Sequence, residues 1–105
     1  MRFLFLLFLT SYSLFAQQSD QQKAYRYYVD GEYQNAIEIY KELTSVRYSG
    51  SYFTPYYNSL LELEFYKDAN AIAKSFSKSN SRNLQYKIAQ IIALKKSGNS
   101  KRSNF

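Results

Sequence analysis

The amino-acid sequence predicts an all-α protein: antiparallel helical hairpins stacked into a short solenoid of about five helices. Three observations carry that expectation. Apolar and aromatic residues recur at helical spacing. The same order of residues returns at a constant offset, from Tyr33 to Tyr66. Turn-forming residues such as Asp30-Gly31 and Ser97-Gly98 punctuate the periodic stretches.

The first element to place is one the mature protein is not expected to keep. Arg2 precedes an apolar run from Phe3 to Leu9, and Leu14-Phe15-Ala16 comes just before polar Gln17-Gln18. A positive start, an apolar stretch and a small residue at the boundary make residues 1–16 a secretory signal peptide. The run is shorter than the roughly 20 apolar residues that span a bilayer, so no transmembrane helix is expected in the mature chain. The expected location is therefore outside the cytoplasm: periplasmic, outer-membrane-associated or secreted. The remainder, 17–105, has no cysteine to cross-link it. Packing must hold so small a domain together.

The first helix is expected over 20–29. Ser19 is placed to cap it and Gln22, three positions on, to complete a capping box. Ala24, Tyr27 and Tyr28 form its apolar stripe. Glycine tolerates the left-handed conformation that ends a helix, so Asp30-Gly31 reads as a tight turn. A second helix follows over 32–44, with Tyr33, Ala36, Ile37, Tyr40 and Leu43 on one face. Residues 45–53 hold Gly50 among serines and aromatics and are expected to form a loop. Thr54-Pro55 reads as an N-cap and a first-turn proline, opening a helix over 55–64. Tyr66, Ala69, Ala73 and Phe76 then repeat the places of Tyr33, Ala36, Tyr40 and Leu43, all at one offset, in a helix over 66–77. The last helix is expected over 83–96, ending at Ser97-Gly98. Residues 17–97 thus make one domain, followed by a basic flexible tail over 98–105.

Residues 24–43, with Gly31, Tyr33, Ala36 and Tyr40 in register, resemble one unit of the tetratricopeptide repeat family. The second unit keeps Tyr66 and Ala69 but has Glu64 in place of the glycine and Tyr57 in place of Ala24. Gly98 closes the first helix of a third unit. The resemblance covers most of the chain beyond residue 16 and implies a non-catalytic protein–protein interaction module. In that family the first helix of each pair lines a concave binding face. Carried across by register, that face consists of Tyr25, Tyr28, Asn58, Glu62, Ile92 and Lys95, and its expected occupant is a peptide or protein segment. The family's clamp for a C-terminal carboxylate uses lysine and asparagine on these helices. Here the first helix offers Gln21 and Tyr25, so that clamp is not expected.

Composition removes most catalytic chemistry. There is neither histidine nor cysteine, so His-based acid–base pairs, thiol nucleophiles and most zinc sites are unavailable. Glu62 and Glu64 are two apart on a helix and point different ways. Glu38 and Glu42 share a face that reads as solvated surface. Ser75-Phe76-Ser77-Lys78 matches the S-x-x-K pattern of a serine nucleophile, but no K-T-G follows and Phe76 belongs to the apolar stripe. No enzyme activity, metal or cofactor is expected.

The charge is unevenly placed. Residues 17–68 carry eight acids and five bases, while residues 69–105 carry eight bases and no acid. This supports an alternative reading, a small exported basic protein whose C-terminal half binds an anionic surface: a glycan, a lipid headgroup or an acidic protein. Nucleic acid is not the expected partner of an exported chain. Finally, the apolar residues of the last helix spread around most of its circumference. One side is expected to lack a cover, with self-association as one consequence.

Overall fold

In the computed structural model, which describes residues 19–103, five α-helices follow one another: α1 (Asp20–Val29), α2 (Tyr33–Val46), α3 (Gly50–Glu62), α4 (Tyr66–Ser79) and α5 (Leu84–Ser103). Each packs on the next, and α1 also touches α3. The fold is all-α and repeat-like, with no strand among the described residues. Residues 1–16, expected to be a signal peptide, lie outside the described residues.

Local chemistry explains the helix starts and the turns. Ser19 is the N-cap of α1, its hydroxyl accepting the Gln22 N–H at 3.2 Å. Asn83 plays that part for α5, its side-chain oxygen accepting the Gln85 N–H at 3.0 Å. At the end of α1 the Gly31 N–H donates to Tyr28 C=O (3.1 Å) and the Glu32 N–H to Tyr27 C=O (2.8 Å). These are the two bonds of a Schellman turn, which needs a left-handed residue; Gly31 supplies it with φ of 80°.

The end of α3 is the same turn, one repeat further along the chain. The Glu64 N–H donates to Leu61 C=O (3.0 Å) and the Phe65 N–H to Leu60 C=O (2.8 Å). The entries to α2 and α4 match as well, Ala36 N–H to Glu32 C=O and Ala69 N–H to Phe65 C=O. The internal repeat is thus carried by the backbone even where the side chains differ. Glu64 has φ of 62°, the glycine conformation without the glycine. A left-handed L-residue costs about 1–2 kcal/mol, part of which glycine returns through its freer unfolded chain. Glu64→Gly should therefore stabilise the protein by about 0.5–1 kcal/mol, and Gly31→Ala should destabilise it. Urea unfolding reads both. A lower midpoint for Glu64→Gly would mean that the glutamate side chain does something that outweighs its strain.

Two aromatic layers fill the space between helices, and α3 feeds both. Tyr52 and Tyr56 point to α2, with ring centroids 6.2 Å and 5.8 Å from Tyr40. Phe53 and Tyr57 stack at 5.1 Å on the other side, where Phe53 meets Phe76 of α4 at 5.1 Å and Tyr86 of α5 at 4.7 Å. Ala36 and Ala69, the repeat alanines, are fully buried, as is Ala24. Tyr33 and Tyr66 are both half-buried. Ala24 lets α1 and α2 approach closely. Tyr57 stands at that position in the second hairpin, and α3 and α4 pack less extensively than α1 and α2 do. The buried hydroxyls of Thr44 and Ser59 donate to carbonyls one turn back, Tyr40 C=O at 2.8 Å and Pro55 C=O at 2.6 Å.

The structure corrects three expectations. The loop expected over 45–53 ends early: α3 begins at Gly50 with Ser49 as its N-cap residue. Pro55 is consequently inside the helix, not in its first turn. Its ring removes the donor for Ser51 C=O, but Ser51 is exposed, so water can take that place. Continuing the helix back to Gly50 buries Tyr52 and Phe53, and burying large side chains outweighs local turn preference. Likewise α5 does not stop at Ser97-Gly98 but runs to Ser103, through much of the expected tail. Gly98 lacks the positive φ of a helix-ending glycine, and an interior glycine costs only about 1 kcal/mol relative to alanine. The second and fourth helices also run slightly past their expected ends, to Val46 and Ser79.

Candidate functional site

Three adjoining grooves run along α1, α3 and α5. The first, about 740 Å³, runs the length of α1 and is lined by Gln21, Tyr25, Arg26, Val29, Tyr40 and Ser51 among others. The second, about 330 Å³, lies between α1 and α3 and is lined by Tyr28, Val29, Tyr33, Asn58, Leu61 and Glu62. The third, about 180 Å³, lies between α3 and α5, with Phe53, Tyr57, Asn58, Ile88, Ala89 and Ile92 on its walls. Val29 belongs to the first two and Asn58 to the last two, so the grooves form one strip.

Each wall has a local cause. Tyr28 and Asn58 are held together across α1 and α3, the Asn58 amide donating to the Tyr28 hydroxyl at 3.2 Å. Nearer the helix starts, the Gln21 amide donates to the Ser51 hydroxyl at 3.1 Å. Tyr28 also meets Tyr25 at 6.0 Å and Tyr33 at 6.2 Å, an aromatic edge to the strip. The α3–α5 wall is tied by the Tyr57 hydroxyl, which donates to Ala89 C=O at 2.8 Å. Burial pushes the Tyr57 phenol above its ordinary pKa, keeping it a neutral donor.

The strip changes character along its length. Its α1–α3 part combines a carboxylate at Glu62 with the Asn58 amide and tyrosine hydroxyls. Its α3–α5 part is mostly aliphatic and aromatic. Such a surface can take a cationic or donor group at one end and apolar side chains at the other. Among the described residues no group of three His, Cys, Asp or Glu side chains converges as metal ligands would.

Of the residues expected on the binding face, Tyr28, Asn58 and Glu62 come together in the second groove. Ile92 joins Asn58 in the third, and Tyr25 lines the first. Lys95 is exposed and lines none of the three. Strict repeat register pairs Asn58, Leu61 and Glu62 with Ile91, Leu94 and Lys95. The α5 wall of the third groove instead uses Gln85, Ile88, Ala89 and Ile92, because Tyr57 seats Ala89 against α3. Sequence reasoning missed Leu61, Tyr57 and Ile88. Leu61 was within its reach, lying one repeat after Tyr28; the other two depend on how α5 is turned. No family model, curated protein or solved structure matches the chain.

Proposed function

We propose that this chain is a non-catalytic interaction module of an exported protein, built on a tetratricopeptide-like plan. Its occupant is a peptide or protein segment lying along α1, α3 and α5. The observation that carries this reading is that neighbouring grooves share Val29 and Asn58 as wall residues, with a polar wall at Glu62 and an apolar one at Ile88 and Ile92. The occupant should place a basic side chain near Glu62 and aliphatic or aromatic side chains beyond Asn58. Tyrosines suit such a face, offering large contact area at low entropic cost together with a hydroxyl. The order of charges and apolar residues in 1–16 supports export.

Selection of peptides from a random library on the purified protein tests the proposal. Enriched peptides should combine a basic residue with apolar ones. Glu62→Lys, which turns attraction into repulsion, or Asn58→Arg, which blocks the groove, should weaken their binding by about tenfold or more. Binding should also persist above physiological salt, where the screening length falls below about 8 Å. Peptides that bind both variants as well as the parent would place the site elsewhere.

A further inference from the structure

Helix α5 has two opposite apolar faces, and the fold uses one. Tyr86, Ala89 and Ala93 are buried against the rest of the protein, each at 5 % exposure or less. On the other side Leu84, Ile88 and Ile91 fall within an arc of about 60° at about 100° per residue. They are 65 %, 56 % and 58 % exposed, and Ile92 and Leu94 widen the stripe. Exposed Lys87 and Lys95 stand among these residues on the same face. Because α5 packs chiefly on α4, this stripe has no second wall among the described residues.

Charge and shape together select the cover. The chain carries no acid after Asp68, and the eight bases beyond it include Lys87, Lys95 and Lys96 on α5 itself. A second copy of the chain would bring these lysines against their counterparts, with no acid on either helix to offset them. A helical partner is usually held in a groove, whereas Leu84 and Ile91 line none of the three grooves. A face of exposed aliphatic side chains interspersed with lysines fits a plane that is apolar inside and anionic at its surface. No helix among the described residues is long and apolar enough to cross a membrane, so α5 would meet a bilayer along its outer side, with its other face still packed on the protein.

We infer that the outer face of α5 docks this protein on an anionic lipid bilayer. Leu84, Ile88 and Ile91 enter the boundary between headgroups and acyl chains. The lysines lie along the headgroups with their stems in apolar contact. The acidic residues, all at or before Asp68, stay on the half of the chain that carries the α1–α3 groove. Ile88 and Ile92 also line the α3–α5 groove, so docking covers that end of the strip and leaves the α1–α3 part open; Ile91 lies outside the grooves and reports on the lipid contact alone.

The test is co-sedimentation with vesicles of the chain from residue 17 onward, without the apolar run Phe3–Leu9 that would itself enter lipid. Zwitterionic vesicles are compared with vesicles that also contain an anionic phospholipid. The chain should bind the anionic vesicles and not the zwitterionic ones. Ile91→Glu should reduce the partition by about tenfold or more, since it removes one buried aliphatic group and adds a repelled charge. Ile91→Val should keep it. Ile91 lines none of the three grooves, so both variants should retain helical circular dichroism and the affinity for any library-selected peptide. The inference is overturned if the chain ignores anionic vesicles. It is overturned equally if Ile91→Glu binds them like the parent, which would locate the contact elsewhere in the chain. A lipid-free oligomer that Ile91→Glu dissociates would identify a second copy as the cover instead.

Discussion

Phe76→Ala should lower the stability of this protein by about 3–5 kcal/mol, the range for truncating a buried aromatic. Phe76 is 1 % exposed and is the meeting point of three segments. Its ring lies 5.1 Å from Phe53 of α3, 5.5 Å from Tyr86 of α5 and 5.1 Å from Tyr48 in the α2–α3 connection. Removing the ring strips one partner from each contact, and helices α3, α4 and α5 cannot all close on the space at once. Domains of ordinary stability have only about 5–15 kcal/mol to lose, so the variant should be marginal at room temperature. Urea unfolding followed by far-ultraviolet circular dichroism measures the loss, and Phe76→Leu should recover a good part of it. A Phe76→Ala loss below about 1 kcal/mol, the average for any point substitution, would show that this cluster is not the centre of the core.

The second large effect is alkaline destabilisation centred on Tyr40. The Tyr40 phenol is 1 % exposed, and its pKa is pushed from 10.0 up to about 12. Desolvation is the main cause, with charge on neighbouring Tyr25, Tyr28 and Tyr52 adding to it. The folded protein resists ionisation more than the unfolded chain does. Below pH 10 the phenol is neutral in both states and its contribution is fully present. Between pH 10 and 12 the unfolded chain ionises first, and stability falls by up to about 1.4 kcal/mol per pH unit, on the order of 2–3 kcal/mol in all. Burial raises Tyr56 and Tyr57 in the same direction, which steepens the decline. Urea midpoints measured across this window should fall with pH for the parent and more shallowly for Tyr40→Phe, which keeps the ring and removes the ionisable group. Equal slopes would mean that Tyr40 is solvated when folded.

The repeat, the helix count and the first hairpin could be read from the sequence because their signals are local. A capping hydroxyl at Ser19, a left-handed residue at Gly31 and a stripe through Tyr33, Ala36, Ile37 and Tyr40 act within one or two turns of chain. The turn at Glu64 shows how far a backbone repeat persists when its signature residue is lost: the helix expected to run through Glu64 stops at Glu62, and Glu64 takes the left-handed conformation one repeat after Gly31. Where α3 begins was decided by tertiary structure. Ser49, Gly50, Ser51 and Pro55 favour a turn locally, and only the core that Tyr52 and Phe53 enter outweighs them. The end of α5 is the converse case, a glycine whose modest cost never terminates the helix. The candidate site divides the same way. Tyr28, Asn58 and Glu62 follow from register, since α1 and α3 belong to successive hairpins with the same turn. The α3–α5 groove does not, because the Tyr57 hydroxyl fixes how α5 is rotated, and that rotation places Ile92 in the strip and Lys95 outside it. Backbone conformation is determined by neighbours in sequence; the rotation of a helix about its axis is determined by what it can bury, and that depends on every helix around it.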